Sequence, residues 1–271
     1  MILPAFLAAL LAATVPLGTE AAAAPPPAAG ALPADPLDSP MWEYHAQRLF
    51  PGAVVRFDDR LRIEVPQIAE NQRVFPVTVD ARALQHVQRI VLFADLNPIP
   101  VALDFTPGQA APFIATRIKL DQRTPVRAAA LTRDGIWHVA GSWIDAAGGG
   151  CSAPPISRVK GDWAEHLGEM RGRGWSDGAN TRLRFTFRHP MDTGLVENTP
   201  AYHIEQLTVK TADGQDMARM RVYGSVAEDP AFTLIVPGGD GPLSIAARDT
   251  SGLEFDGEIT PLPVARPPDA R

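Results

Sequence analysis

The chain has 271 residues, 45% hydrophobic and 21% charged, which suits a globular protein of two ordinary domains. Its formal charge of −6, with no basic cluster along the sequence, argues against nucleic acid as a partner. The 27 prolines and 22 glycines punctuate the chain too densely for long helices and favour many short strands joined by turns.

Residues 1–24 read as a secretory leader: Ile2 to Val15 is apolar apart from Pro4 and Thr14, and Ala21 to Ala24 offers small residues for cleavage. That run is short for a membrane span, and no other segment is long and apolar enough to cross a bilayer. The expected location is therefore the periplasm. Residues 25–40, with Pro25-Pro26-Pro27, read as an extended tether with nothing to bury. Ser39-Pro40 resembles a helix start, and Trp42, His45, Ala46, Leu49 and Phe50 recur at helical spacing, so one short amphipathic helix is expected over 41–50. His45 on its apolar face reads as a packed core histidine.

From Leu61 the period changes to two. Leu61 to Val65 alternates, and apolar or β-branched runs follow at Val74 to Val79, Ile90 to Ala94, Val101 to Phe105, Ile114 to Leu120, Val126 to Leu131 and Ile136 to Ile144. Asp134-Gly135 is a hairpin turn, since both central positions favour positive φ. Strands at this spacing without helices between them predict an antiparallel sandwich of immunoglobulin type. Residues 152–179 read as an interdomain connection, with a short helix around Asp162 to Met170 and with Trp163 and Trp175 as anchors. A second β block runs from about Thr181 to Pro261, with Asp213-Gly214 as another hairpin. Residues 263–271 read as a loose tail. The expected fold class is all-β, with two immunoglobulin-like sandwiches in tandem after a signal peptide.

The sequence contains one cysteine, Cys151, in Gly148-Gly149-Gly150-Cys151-Ser152 at the end of the first β block. Glycines remove the Cβ atoms that restrict backbone freedom, so Gly148, Gly149, Gly150 and Ser152 read as a flexible arm carrying a thiol nucleophile. In an oxidising compartment a lone thiol is buried and inert, paired with another molecule, or used. No cation adjoins Cys151 in sequence, so thiolate activation falls to a residue close in space, with Arg158 and His138 as candidates. No catalytic constellation is recognisable, and no phosphate-binding loop, because the three glycines lack a following lysine and helix. His189 and His203 would join Cys151 in a metal site only if the fold gathered all three; close ligand spacing is absent, so no metal is assigned.

Residues 54–151 resemble SoxY, the carrier subunit of the periplasmic sulfur-oxidation (Sox) system. The matching pieces are Val65-Pro66, Ala69-Glu70-Asn71, Val74 to Val79, Asn97-Pro98-Ile99-Pro100, Thr116-Arg117-Ile118, Asp134-Gly135 and Gly149-Gly150-Cys151. Residues 183–260 resemble SoxZ, through Arg188-His189-Pro190-Met191-Asp192-Thr193-Gly194, Pro200-Ala201-Tyr202-His203-Ile204, Gly224-Ser225-Val226, Pro230-Ala231-Phe232 and Asp249-Thr250-Ser251-Gly252. The order is similar to fused SoxYZ-like carriers that accompany quinoprotein (pyrroloquinoline quinone) alcohol dehydrogenases. The resemblance implies an Ig-like SoxY domain over 41–151, a connection over 152–179 and an Ig-like SoxZ domain over 180–262, the two pairing within the chain. It implies a non-catalytic carrier that holds sulfur intermediates covalently on Cys151 and presents them to periplasmic enzymes, with no cofactor beyond such an adduct. In the sulfur carrier the cysteine lies one residue from the chain end, followed by glycine; here Ser152 follows and a whole second domain comes after it. A non-covalent accessory or docking module of a quinoprotein dehydrogenase is the alternative. If the two sandwiches pack as the family's subunits do, Cys151 is expected to lie exposed at their junction.

Overall fold

The structure, a computed structural model, describes residues 32–156, 158, 161–239 and 241–263. The leader, the first part of the tether and residues 264–271 of the tail lie outside the described residues. The helix α1 spans Trp42–Leu49, and the elements that follow it are strands. In the first half the strands are β1 (Val54–Phe57), β2 (Arg62–Glu64), β3 (Ile68–Ala69), β4 (Phe75–Asp80), β5 (Val87–Ala94), β6 (Val101–Thr106), β7 (Phe113–Ile118), β8 (Thr124–Thr132) and β9 (Ile136–Ala146). The second half contributes β10 (Met170–Ser176), β11 (Asn180–Phe187), β12 (Ile204–Thr211), β13 (Asp216–Val222), β14 (Ala231–Pro237), β15 (Leu243–Asp249), β16 (Glu254–Ile259) and β17 (Leu262–Pro263).

The expected immunoglobulin-like sandwiches are present, and they share their sheets. One ten-stranded sheet runs β1-β9-β8-β5-β6-β13-β12-β15-β16, with β3 beside β9; a seven-stranded sheet runs β17-β10-β11-β14-β7-β4-β2. The halves are sewn edge to edge twice. β6 pairs β13 antiparallel, Phe105 opposite Met220, and β7 pairs β14, Ile114 opposite Leu234. Each half thus covers an edge of the other that would otherwise expose unpaired backbone groups. The core is correspondingly continuous: Phe75, Ile114 and Leu120 of the first half belong to one buried cluster with Phe185, Phe232 and Val236 of the second.

β5 reads as an unbroken apolar run because both its faces are covered. Ile90, Leu92 and Ala94 face the main core. Val91 and Phe93 face outward and meet Trp42, Ala46 and Phe50 from the α1 region, together with Trp137. His45 is buried there as expected, one ring nitrogen 2.8 Å from the carbonyl of Asp95.

Four expectations need correction. The tether is anchored from residue 32 on: Trp42 donates to Pro33 O, Trp143 to Leu37 O, and buried Arg127 bonds Asp35 and Asp95 and lies 4.8 Å from the Trp42 ring. A Pro-rich composition concealed this because the anchoring partners are distant in sequence. The segment 152–179 contains a full strand, β10, paired with β11 from Met170–Phe187 to Ser176–Thr181. Its glycines Gly172 and Gly174 admit close neighbours, and they masked the strand pattern. Residues 163–168 form turns where a helix was expected. Pro263, expected to open the tail, pairs with β10 together with Leu262.

Candidate functional site

Cys151 sits where the two halves meet, and it is enclosed. Its relative exposure is 0%. This overturns the expected exposed position on a limp arm. The physical reason lies in the loop 148–153, whose backbone polar groups are tied down by hydrogen bonds within the protein. Gly148 and Gly149, at φ +106° and +80°, turn the chain back after β9. Gly148 O accepts from Gln72 Nε2 at 2.7 Å, Gly149 N donates to Asp121 O at 3.3 Å, and Gly150 N donates to Leu120 O at 3.0 Å. A Cβ on Gly150 would stand 2.3 Å from Leu120 O and 2.4 Å from Gln72 O, so only glycine fits this seat. The glycines that suggested mobility permit close backbone approach instead.

Asp121 is the clasp. Its Oδ1 accepts from Cys151 N at 3.0 Å, Ser152 N at 3.2 Å and Ser152 Oγ at 3.0 Å. From the second half, Thr193 Oγ1 donates to Cys151 O at 2.7 Å. The thiol itself lies 3.8 Å from Lys119 O, as a weak donor.

Lys119, immediately after β7, carries the charge nearest in effect to the thiol. It is buried, its Nζ donating to Met191 O and, at 2.9 Å, to Gly224 O. A first-half ammonium is thereby satisfied by second-half carbonyls. Burial pulls the Lys119 ammonium down to about 8, against the attraction of nearby negative groups. Burial likewise pushes the Cys151 thiol up to about 12; the Lys119 charge opposes this shift and does not cancel it. In the closed seat Cys151 is a protonated, poorly nucleophilic thiol.

Neither sequence candidate for activating Cys151 does so here. Arg158 is bound to Asp192, Nε to Oδ2 at 2.6 Å, and its guanidinium lies 4.3 Å from the Trp163 ring centre. His138, on β9, is engaged by Asp58 at 2.7 Å and by Thr132. Sequence reading missed Lys119, Asp121, Gln72 and Thr193. The one signal for Lys119 is an ammonium set between the apolar residues Ile118 and Leu120.

The Arg188–Gly194 segment roofs the cysteine and continues into a buried polar cluster. Met191, at φ +52°, donates its N–H to His189 Nδ1 at 3.1 Å, which leaves the imidazole proton on Nε2, 3.6 Å from Asp249 Oδ2. The His189 and Tyr202 ring centres lie 4.6 Å apart with the planes tilted by 44°. Burial, above all, holds His189 down to about 4. Among the described residues no group of three His, Cys, Asp or Glu side chains is placed to hold a metal ion, so His189, His203 and Cys151 form no such site. No helix among the described residues is long and apolar enough to cross a membrane.

Comparison with known proteins follows the same division of the chain. The profile of the family described as sulfur oxidation protein SoxY matches residues 46–151, and that of sulphur oxidation protein SoxZ matches residues 171–260. No curated protein sequence matches the chain. Among solved structures, the sulfur carrier protein SoxY from Chlorobium limicola f thiosulfatophilum aligns with 40% of this chain and 96% of its own, at 18% identity and a TM-score of 0.35. A marsupial T cell receptor aligns with 73% of this chain and 93% of its own, at 10% identity and a TM-score of 0.23. With a SoxY domain ending at the buried cysteine and a SoxZ domain roofing it, the chain belongs to the SoxYZ family as a fusion of the two.

Proposed function

We propose that this protein is a non-catalytic, exported carrier of the sulfur-oxidation type, whose Cys151 is sheltered at the seam between the halves and offered to a partner when loop 148–153 swings out. The observation that carries this reading is how the loop is held. Polar contacts from Asp121, Gln72 and Thr193 fasten it, and the small thiol is its deepest anchor. Such a seat opens without unpacking either core. Closed, it keeps an unpaired thiol protonated and away from oxidants; open, the thiol regains ordinary acidity.

Loading by exchange requires no external oxidant. The Cys151 thiolate attacks the outer sulfur of a partner's persulfide, a new S–S bond forms on Cys151 as the partner's S–S bond breaks, and the partner leaves as a thiolate that takes up a proton. Both ends of the loop continue into folded protein, so the thiol emerges as the tip of a hairpin and suits an open partner surface. Intact mass spectrometry of the protein purified from its own host tests the reading. A recurring sulfur adduct, absent from Cys151→Ser, is expected. A bare thiol throughout, together with unchanged growth of a Cys151→Ser strain on the host's sulfur or alcohol substrates, would sink it.

The enclosure of Cys151 gives one specific reason for the second reading, a non-covalent accessory or docking module beside a quinoprotein dehydrogenase. It predicts that Cys151→Ser behaves as the native protein in every partner assay.

A further inference from the structure

The outward face of the seven-stranded sheet collects cations that the sequence scatters. β10 turns Arg171, Arg173 and Trp175 outward, and β11 turns out Arg182 and Arg184, as their alternating burial shows. Arg173 stands directly opposite Arg184, and Trp175 opposite Arg182. Beyond β14, strand β7 adds Arg117 from the first half. Arg117, Arg171, Arg173, Arg184 and Trp175 line a cleft of about 260 Å³. Trp175 is 37% exposed. No carboxylate occupies an outward position of β10, β11 or β14. Glu169, just before β10, approaches Arg171 at 3.9 Å, while Arg173, Arg182 and Arg184 have no carboxylate partner among the described residues.

This arrangement has a folding cost. Like charges directly opposed on neighbouring strands destabilise a sheet, and nothing described here offsets the Arg173–Arg184 pair. A large indole left more than a third exposed adds a second uncompensated feature. Arginine and tryptophan are also the side chains that most often anchor protein interfaces, because each combines a broad apolar or planar surface with a polar tip.

We infer that this arginine–tryptophan face, running from β10 and β11 across the seam to Arg117, is a docking surface for the acidic surface of a partner protein. Charge complementarity selects the occupant. The chain as a whole carries −6, so an extended polyanion such as nucleic acid, or an anionic membrane, is repelled by the rest of the molecule, whereas a compact acidic patch meets only the cationic face. The inference does not depend on the role of Cys151.

The test uses the full chain and fluorescein-labelled poly-L-glutamate, read by fluorescence anisotropy at low ionic strength and then with added salt. The native protein is expected to bind, with affinity falling as salt rises. Arg173→Glu/Arg184→Glu is expected to weaken binding by about tenfold or more, and Trp175→Ala by a smaller factor. Arg56→Glu/Arg133→Glu, exposed positions elsewhere on the first half, makes the same change in net charge and is expected to leave binding unaltered. Melting curves confirm that each variant is folded. Cys151→Ser is expected to bind as the native chain does; loss of binding in that variant would remove the site from this face. Absence of native binding, equal weakening by the two charge-reversal pairs, or tighter binding to single-stranded DNA or phosphatidylglycerol vesicles would overturn the proposal.

Discussion

Removal of the Asp121 carboxylate tests how the thiol is held. One oxygen, Oδ1, accepts all three hydrogen bonds that fasten Cys151 and Ser152 to the first half. Hydrogen bonds to a carboxylate contribute about 1.5–3 kcal/mol each when buried; for this partly solvated group a total of about 2–3 kcal/mol is reasonable. In Asp121→Ala that loss shifts the opening equilibrium of the loop by roughly 30- to 150-fold, at about 1.4 kcal/mol per factor of ten. The readout is alkylation of Cys151 by iodoacetamide, followed by intact mass near neutral pH. In the closed native protein the thiol ionises at about 12 instead of 9.0, which lowers the thiolate fraction about a thousandfold before access is considered. Native alkylation is therefore expected to be at least about a thousandfold slower than in denaturant, with Asp121→Ala recovering roughly 30- to 150-fold of the difference. A native rate within about tenfold of the denatured rate would refute the enclosed seat, and an unaccelerated Asp121→Ala would refute the clasp.

Gly150→Ala forces a methyl group against Leu120 O and Gln72 O, both backbone atoms that cannot turn aside, so the loop should leave its seat; alkylation faster than in the native protein, with a lowered melting temperature, is expected. Lys119→Met removes the ammonium from Met191 O and Gly224 O and leaves two buried carbonyls short of a donor; urea unfolding should show a loss of about 2–4 kcal/mol, and a loss under about 1 kcal/mol would mean that water replaces the ammonium. His189 ionises near 4 in the folded protein and near 6.5 when unfolded, so its neutral form supports the fold above pH 6.5. As pH falls from 6.5 to 4 the unfolded chain takes up the proton first, and up to about 3 kcal/mol of stability is lost. Unfolding measured across that window should show a shallower slope in His189→Gln, and an unchanged slope would assign the acid sensitivity to other groups.

Side-chain alternation and turn chemistry are local, and they were legible in the sequence. Leu183, Phe185 and Phe187 announced β11, Asp134-Gly135 and Asp213-Gly214 announced their hairpins, and Trp42, Ala46 and Phe50 announced the buried side of α1. β10 escaped notice because glycines stand where apolar side chains would mark a strand. Cys151 was identifiable as the chemically distinctive residue, yet its surroundings were not. Lys119, Asp121, Gln72 and Thr193 are 30 to 79 residues away in sequence and reach it only through the pairing of β7 with β14 and the return of the chain after β9.

From its sequence alone this chain is an all-β protein with two successive β blocks and a single thiol between them, because strand periodicity, turns and residue counts need no neighbours to be read. Whether that thiol is free or enclosed, and whether the two blocks stay apart or share their sheets, was decided by tertiary structure. Both depend on which edges and carbonyls meet across the seam, and backbone groups carry no side-chain signature by which a sequence could announce their partners.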